Sequence, residues 1–153
     1  MQKKRFTLGG NQMLKGIPAI LTPELLKVLM EMGHGDELVI ADGNYPCFGH
    51  PKRVVRLDGH GIPTILDAIM QFMPLDTYVD NPTILMEVVA GDPYVPEIWS
   101  TYREIIAKHD KNGAREIATN KKDFYTRAAN AYAVVTTSET ALYANIILKK
   151  GVI

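Results

Sequence analysis

At 153 residues, 46% of them hydrophobic, the chain is the size of one domain and long enough to bury a substantial core without disulfide or metal staples. Lysine plus arginine equals aspartate plus glutamate at 17 each, so the charge balance points to no nucleic-acid or anionic-membrane surface and suits a small neutral ligand better. A lone Cys47 excludes an intramolecular disulfide and a thiolate cluster and agrees with a reducing cytoplasm, and no stretch approaches the roughly 20 apolar residues of a membrane span.

Residues 1–12 read as an N-terminal extension: Lys3, Lys4 and Arg5 are not followed by the apolar run of a signal peptide, so the protein is expected to stay in the cytoplasm, with the folded domain over 13–153. Thr22 as N-cap, Pro23 at the first helical position, and Leu25, Leu26, Val28, Leu29 and Met32 on one face predict an amphipathic helix that stops at Gly33. It delivers His34 between two glycines, which let the chain reverse sharply and present the imidazole. The helix end is expected to place His34 near carbonyls that favour its charged form. A strand follows over Leu38–Ala41 and ends at Asp42, a common place for sites in α/β sheets. Asp36 and Asp42 are close enough in sequence to orient the imidazole or to grip a hydroxylated ligand. A solvated loop with a surface histidine and ordinary capping carboxylates fits the same spacing equally well.

The turn-rich loop 42–52 is placed to cover a pocket. Arg53–Leu57 reads as a second strand, and a helix starting with Pro63 carries Ile65, Leu66, Ile69, Met70 and Met73. Thr83–Ala90, nearly continuous in apolar residues apart from Glu87, reads as a central strand covered on both faces. From Pro96, residues Ile98, Trp99, Tyr102, Ile105 and Ile106 recur at helical spacing and read as a core stripe. Strands at 115–118, 132–136 and 144–148 and a helix over 122–131 complete the chain. The alternation predicts an α/β fold: one layered domain with helices packed around a mainly parallel or mixed central sheet.

There is no phosphate loop, dinucleotide fingerprint, nucleophile elbow or zinc-protease helix. His34, Asp36, Asp42, His50 and His60 have side chains that suit divalent metals, but scattered loop residues of these types are common, and no metal is assigned. A second polar patch, Thr136–Asn145, ends in Tyr143 and Asn145, whose hydroxyl and amide match the paired donors and acceptors of a saccharide. A polar loop with a tyrosine packed on the core is the simpler account of the same residues.

The runs Pro23–Leu29, Gly33–Glu37, Ala41-Asp42, Asn44–Pro46, Leu75–Val79, Phe124-Tyr125 and Tyr143–Gly151, in this order, closely resemble the ribose pyranase/fucose mutarotase family, most closely its fucose mutarotase side. The resemblance implies a cofactor-free isomerase of sugar ring forms, acting on a monosaccharide such as L-fucose. It also implies a fucose mutarotase-like α/β fold assembled into cyclic homo-oligomers, decamers in several members, with sites at subunit contacts. On that pattern His34 is the catalytic acid/base and Asp42 binds sugar; beside it, Asp36 is placed to orient His34. The same pattern has Tyr143, Ala144 and Asn145 line the site, and the chemistry of a phenol suits Tyr143 to share proton transfer as well. Lys121 stands where fucose mutarotases commonly have a substrate-binding arginine, and lysine lacks the planar guanidinium fork. Ser138 and Ala144 also depart from the usual fucose-branch residues. Two other functions use the same residues: a non-catalytic monosaccharide-binding or transport-accessory protein, and a metal-dependent hydrolase or lyase built on His34 and Asp36.

Overall fold

The computed structural model describes residues 12–47 and 53–153. The extension expected at the N-terminus, apart from Gln12, and the end of the 42–52 loop with His50 lie outside the described residues. Among those described, helices and strands alternate as α1 (Pro23–Glu31), β1 (Glu37–Ala41), β2 (Val54–Leu57), α2 (Ile62–Met70), β3 (Thr83–Met86) and α3 (Ile98–His109). They continue as β4 (Glu116–Thr119), α4 (Lys121–Ala129), β5 (Ala133–Thr137) and β6 (Ile146–Lys149). The strands form one six-stranded sheet in the order β2-β5-β1-β6-β3-β4. Strand β5 runs parallel to β1 and β2, and β3 runs parallel to β4, whereas β6 is antiparallel to both β1 and β3.

Alternation along the strands separates two cores. Leu38, Ile40, Val135, Ile146, Leu148 and Leu85 face α1, α2 and α3, with Leu25, Ile65, Leu66, Tyr102 and Ile106 buried against them. Val39, Val134, Ile147, Ile84 and Met86 point the other way and are covered by Phe124 and Ala128 of α4. Strands buried on both faces account for the near-continuous apolar runs in the sequence.

Helix α1 begins as expected, with Thr22 Oγ1 accepting the Leu25 amide at 3.2 Å. Such a cap contributes about 1 kcal/mol. Its end differs from the sequence reading: the helix stops at Glu31 and Met32 is already extended. The left-handed glycine is Gly35, at φ +86°, not Gly33. Strand β3 ends at Met86 rather than Ala90; the Glu87 amide makes a last ladder bond, to the Thr119 carbonyl of β4. Strand β6 starts at Ile146, two residues later than its apolar run, because the carbonyl of Ala144 is held by a helix side chain and the Asn145 side chain by the Asp42 amide.

Candidate active site

The His34 turn is fastened at its base. The Gly33 amide donates to Asp36 Oδ2 at 2.7 Å, the Gly35 amide to the Lys150 carbonyl at 2.8 Å, and the Lys150 amide to the Asp36 carbonyl at 2.8 Å. Asp36 therefore builds the turn through Gly33 and does not touch the imidazole; the sequence expectation that it orients His34 is corrected on this point. The imidazole meets a different carboxylate. Its Nε2 lies 3.0 Å from Asp76 Oδ1, and the Tyr78 ring sits 5.0 Å away, centroid to centroid.

Asp76 is only 2% exposed. Burial pushes its carboxyl up, but the Tyr78 amide, His34 and nearby Lys149 outweigh that and hold it below the ordinary carboxylate range. An ionised carboxylate accepts and cannot donate, so it fixes the proton on Nε2 and leaves Nδ1 as the free nitrogen of His34. The His34 side chain remains 42% exposed, so the imidazole is presented at the surface.

The remaining candidates gather at the opposite end of the strands. Because β6 is antiparallel to β1, its start lies beside the end of β1, where Asn145 Oδ1 accepts the Asp42 amide at 2.7 Å. Tyr143 adopts a left-handed conformation, φ 55°, which costs a non-glycine residue energy and is found where surrounding contacts enforce it. Here Trp99 Nε1 donates to the Tyr143 carbonyl at 2.8 Å and Tyr102 Oη to the Ala144 carbonyl at 2.7 Å. The Tyr143 hydroxyl donates to Asp92 Oδ2 at 2.7 Å, and that bond raises its pKa. The phenol is thus committed to Asp92, which suits it to holding a ligand more than to giving up a proton.

Asp42 is nearly buried and accepts the Asn44 amide at 3.0 Å. Burial, then the charge of Glu139, raise its pKa against the pull of the Asn44 and Tyr45 amides. Lys121, the first residue of α4, is exposed at this same end, its Nζ 6.0 Å from the centre of the Tyr125 ring, which itself lies 5.6 Å from Tyr45. Burial pushes the Tyr45 hydroxyl up to about 12, so it stays a neutral donor and acceptor near Asp42.

The structure therefore brings Asp42, Lys121, Tyr143, Ala144 and Asn145 to one end and leaves His34 and Asp36 at the other. The five-residue β1 lies between them, and at ~3.3 Å per residue this strand spans about 13 Å. His34 and Asp42 therefore flank β1 at its two ends and make no hydrogen bond to one another. A 510 Å³ cavity opens beside the His34 turn, lined by Gly35, Asp36, Arg53 and Tyr132 and containing the Arg127–Glu37 ion pair; of the candidate residues only Asp36 lines it. Among the described residues no three His, Cys, Asp or Glu side chains converge as a metal-ligand set.

The sequence reading missed Asp76, Trp99, Tyr102 and Asp92 as site residues. Asp76 carried a signal within Leu75–Val79, a segment of the family pattern; Trp99 and Tyr102 were hidden because the same spacing that buries them also describes a plain core stripe.

Residues 15–153 match the family described as the RbsD / FucU transport protein family. A bovine (Bos taurus) protein named fucose mutarotase is 47% identical over 147 residues, covering 92% of this chain and 94% of that protein. The crystal structure of the fucose mutarotase from Streptococcus pneumoniae in complex with L-fucose superposes with a TM-score of 0.86 at 52% identity, covering 92% of this chain and 99% of that one. FucU from Bifidobacterium longum superposes with a TM-score of 0.88 at 54% identity, covering 91% and 99%. The family match over residues 15–153, with relatives 47–54% identical across more than nine-tenths of the chain and the same mixed sheet, places this chain in the RbsD / FucU family.

Proposed function

We propose that this chain is a monosaccharide mutarotase, acting on L-fucose or a closely related sugar. Its active site would be completed between copies: the His34–Asp76 pair of one subunit faces Asp42, Lys121 and Tyr143–Asn145 of the next. The observation that carries this reading is the separation of the two half-sites to opposite ends of the strands, with His34 exposed in one and Lys121 in the other, and neither sufficient alone. A head-to-tail contact between unlike ends closes into a ring, in keeping with a cyclic homo-oligomer, decameric in this proposal. The lone Cys47 agrees with a cytoplasmic setting.

Anomer interconversion needs two proton transfers. The anomeric hydroxyl loses its proton and the ring oxygen gains one as the bond between the anomeric carbon and ring oxygen breaks; the aldehyde then rotates and recloses by the reverse steps. His34 Nδ1 is suited to exchange these protons while Asp76 stabilises the imidazolium from the Nε2 side. Asp42, Lys121 and Asn145 hold sugar hydroxyls, and Tyr143 supplies ring surface. A positioned acid/base contributes about 10²–10⁴-fold, enough for a reaction that already proceeds slowly in water.

The test is anomer exchange of L-fucose, D-ribose and related monosaccharides by NMR saturation transfer. Exchange faster than in buffer supports the enzyme; unchanged rates across the panel overturn it. Sugar binding without exchange would identify the non-catalytic binding or transport-accessory function instead. Mixing His34→Ala with Asn145→Ala subunits after dissociation tests the shared site: random 1:1 assembly restores both halves in roughly a quarter of sites.

A further inference from the structure

We propose that Glu139 is a positioning residue for the Asp42 wall, locking the Asp42 turn, the start of α2 and the loop leading to Tyr143–Asn145 into one unit. This rests on the reading of Asp42 as a sugar-binding group. Three observations carry it.

The Glu139 carboxylate makes contacts across distant parts of the chain. Oε2 accepts the Ile62 amide at 3.0 Å, and Oε1 accepts the Thr140 and Ala141 amides, each at 3.0 Å. Helix α2 starts after Gly61, which has no side chain to cap it, so its first amide is satisfied by a carboxylate from the β5–β6 loop. A negative charge at that position is favoured by the helix dipole.

The backbone of Glu139 holds the turn that follows β1. Its carbonyl accepts the Gly43 amide at 2.8 Å, and its own amide donates to Thr137 Oγ1 at 3.1 Å, whose hydroxyl donates to the Ala41 carbonyl at 2.7 Å. Together with the Asn145 bond to the Asp42 amide, contacts from this loop grip Ala41, Asp42 and Gly43 in succession.

Gly61 leaves the space this requires. A Cβ there would stand 2.9 Å from Glu139 Oε2, although its backbone, φ −83°, is open to any residue. The groups facing Asp42 are Glu139 from the loop, Tyr102 from α3, Tyr125 from α4, and the Asn44 and Tyr45 amides of its own turn. Of these only Glu139 carries a charge, and its removal lowers the pH at which Asp42 ionises.

Two variants separate anchor from charge. Glu139→Gln removes the charge and is expected to lower the Asp42 titration midpoint, read by ¹³C NMR of the carboxyl. Gly61→Ala keeps every charge but pushes the carboxylate off the Ile62 amide. It is expected to raise KM for L-fucose about fivefold, the worth of one hydrogen bond, with kcat retained because His34 is untouched. Circular dichroism and Tm check that both fold; if Glu139→Gln does not, Gly61→Ala decides alone. An Asp42 titration unmoved in Glu139→Gln, or a KM unmoved in Gly61→Ala, overturns the assignment. If the parent protein exchanges no sugar, the mutarotase reading fails, while the Asp42 titration still decides the role of Glu139.

Discussion

His34 Nε2 and Asp76 Oδ1 are 3.0 Å apart, one side chain presented to solvent and the other almost completely buried. The pair joins a turn before β1 to the loop before β3, and the end of β6 with the residue after it clamps both: the Gly35 and Asp76 amides donate to the carbonyls of Lys150 and Lys149. The imidazole is therefore held by parts of the chain far apart in sequence.

Replacing His34 with alanine is expected to lower the anomer exchange rate by about 10²–10⁴-fold with little change in sugar affinity, because the hydroxyl-binding groups sit at the other end of the strands. Saturation-transfer NMR and calorimetric titration with L-fucose read the two quantities separately. Affinity lost together with rate would assign His34 to binding.

Asp76→Asn is expected to reduce exchange, though by less than His34→Ala, since the amide can orient the ring but cannot stabilise an imidazolium. The substitution also bears on acid stability. The Asp76 pKa is depressed in the fold, so its contribution is present above the unfolded value and is lost as pH falls through the folded value. The difference in Tm between parent and Asp76→Asn should therefore shrink on going from pH 7 to below pH 4, the region of an ordinary aspartate pKa.

Asp42 has the opposite sign. Its raised pKa means that the folded state holds the proton more tightly, so any stability it contributes is present at low pH and is lost as pH rises through the folded value. Binding of sugar hydroxyls to the anion follows the reverse course and weakens as the carboxyl protonates. The acid limb of 1/KM is expected above the ordinary aspartate value of about 3.9. Asp42→Asn should remove that limb, and a limb that persists in the variant would assign it to another group.

Gly151→Ala is expected to destabilise the protein by about 1–3 kcal/mol, the usual cost of overpacking. A Cβ there would lie 2.5 Å from the Leu75 carbonyl oxygen and 2.9 Å from the Asp76 Cα, both backbone atoms that cannot swing aside. Because the displaced segment carries Asp76, exchange should fall along with Tm. A lowered Tm with full activity would show that the Asp76 loop tolerates the shift.

Most secondary structure was legible in the sequence because it is local. Pro23 after Thr22, apolar residues at helical spacing, and doubly buried strands leave signals within a few residues, and the observed elements fall close to where those signals placed them. His34 was legible as a presented side chain because the glycines around it are adjacent to it; only the three-dimensional structure showed that Gly35, not Gly33, takes the left-handed conformation. What the sequence could not carry was distance across the sheet. His34 and Asp42 look like neighbours in the chain, yet the strand between them advances about 3.3 Å per residue and sends them to opposite ends, while antiparallel β6 brings Asn145 from far along the chain onto Asp42. The partners Asp76, Trp99, Tyr102 and Glu139 arrive through the same long-range folding. Periodicity records which side of an element is buried, whereas strand order and direction decide which side chains meet.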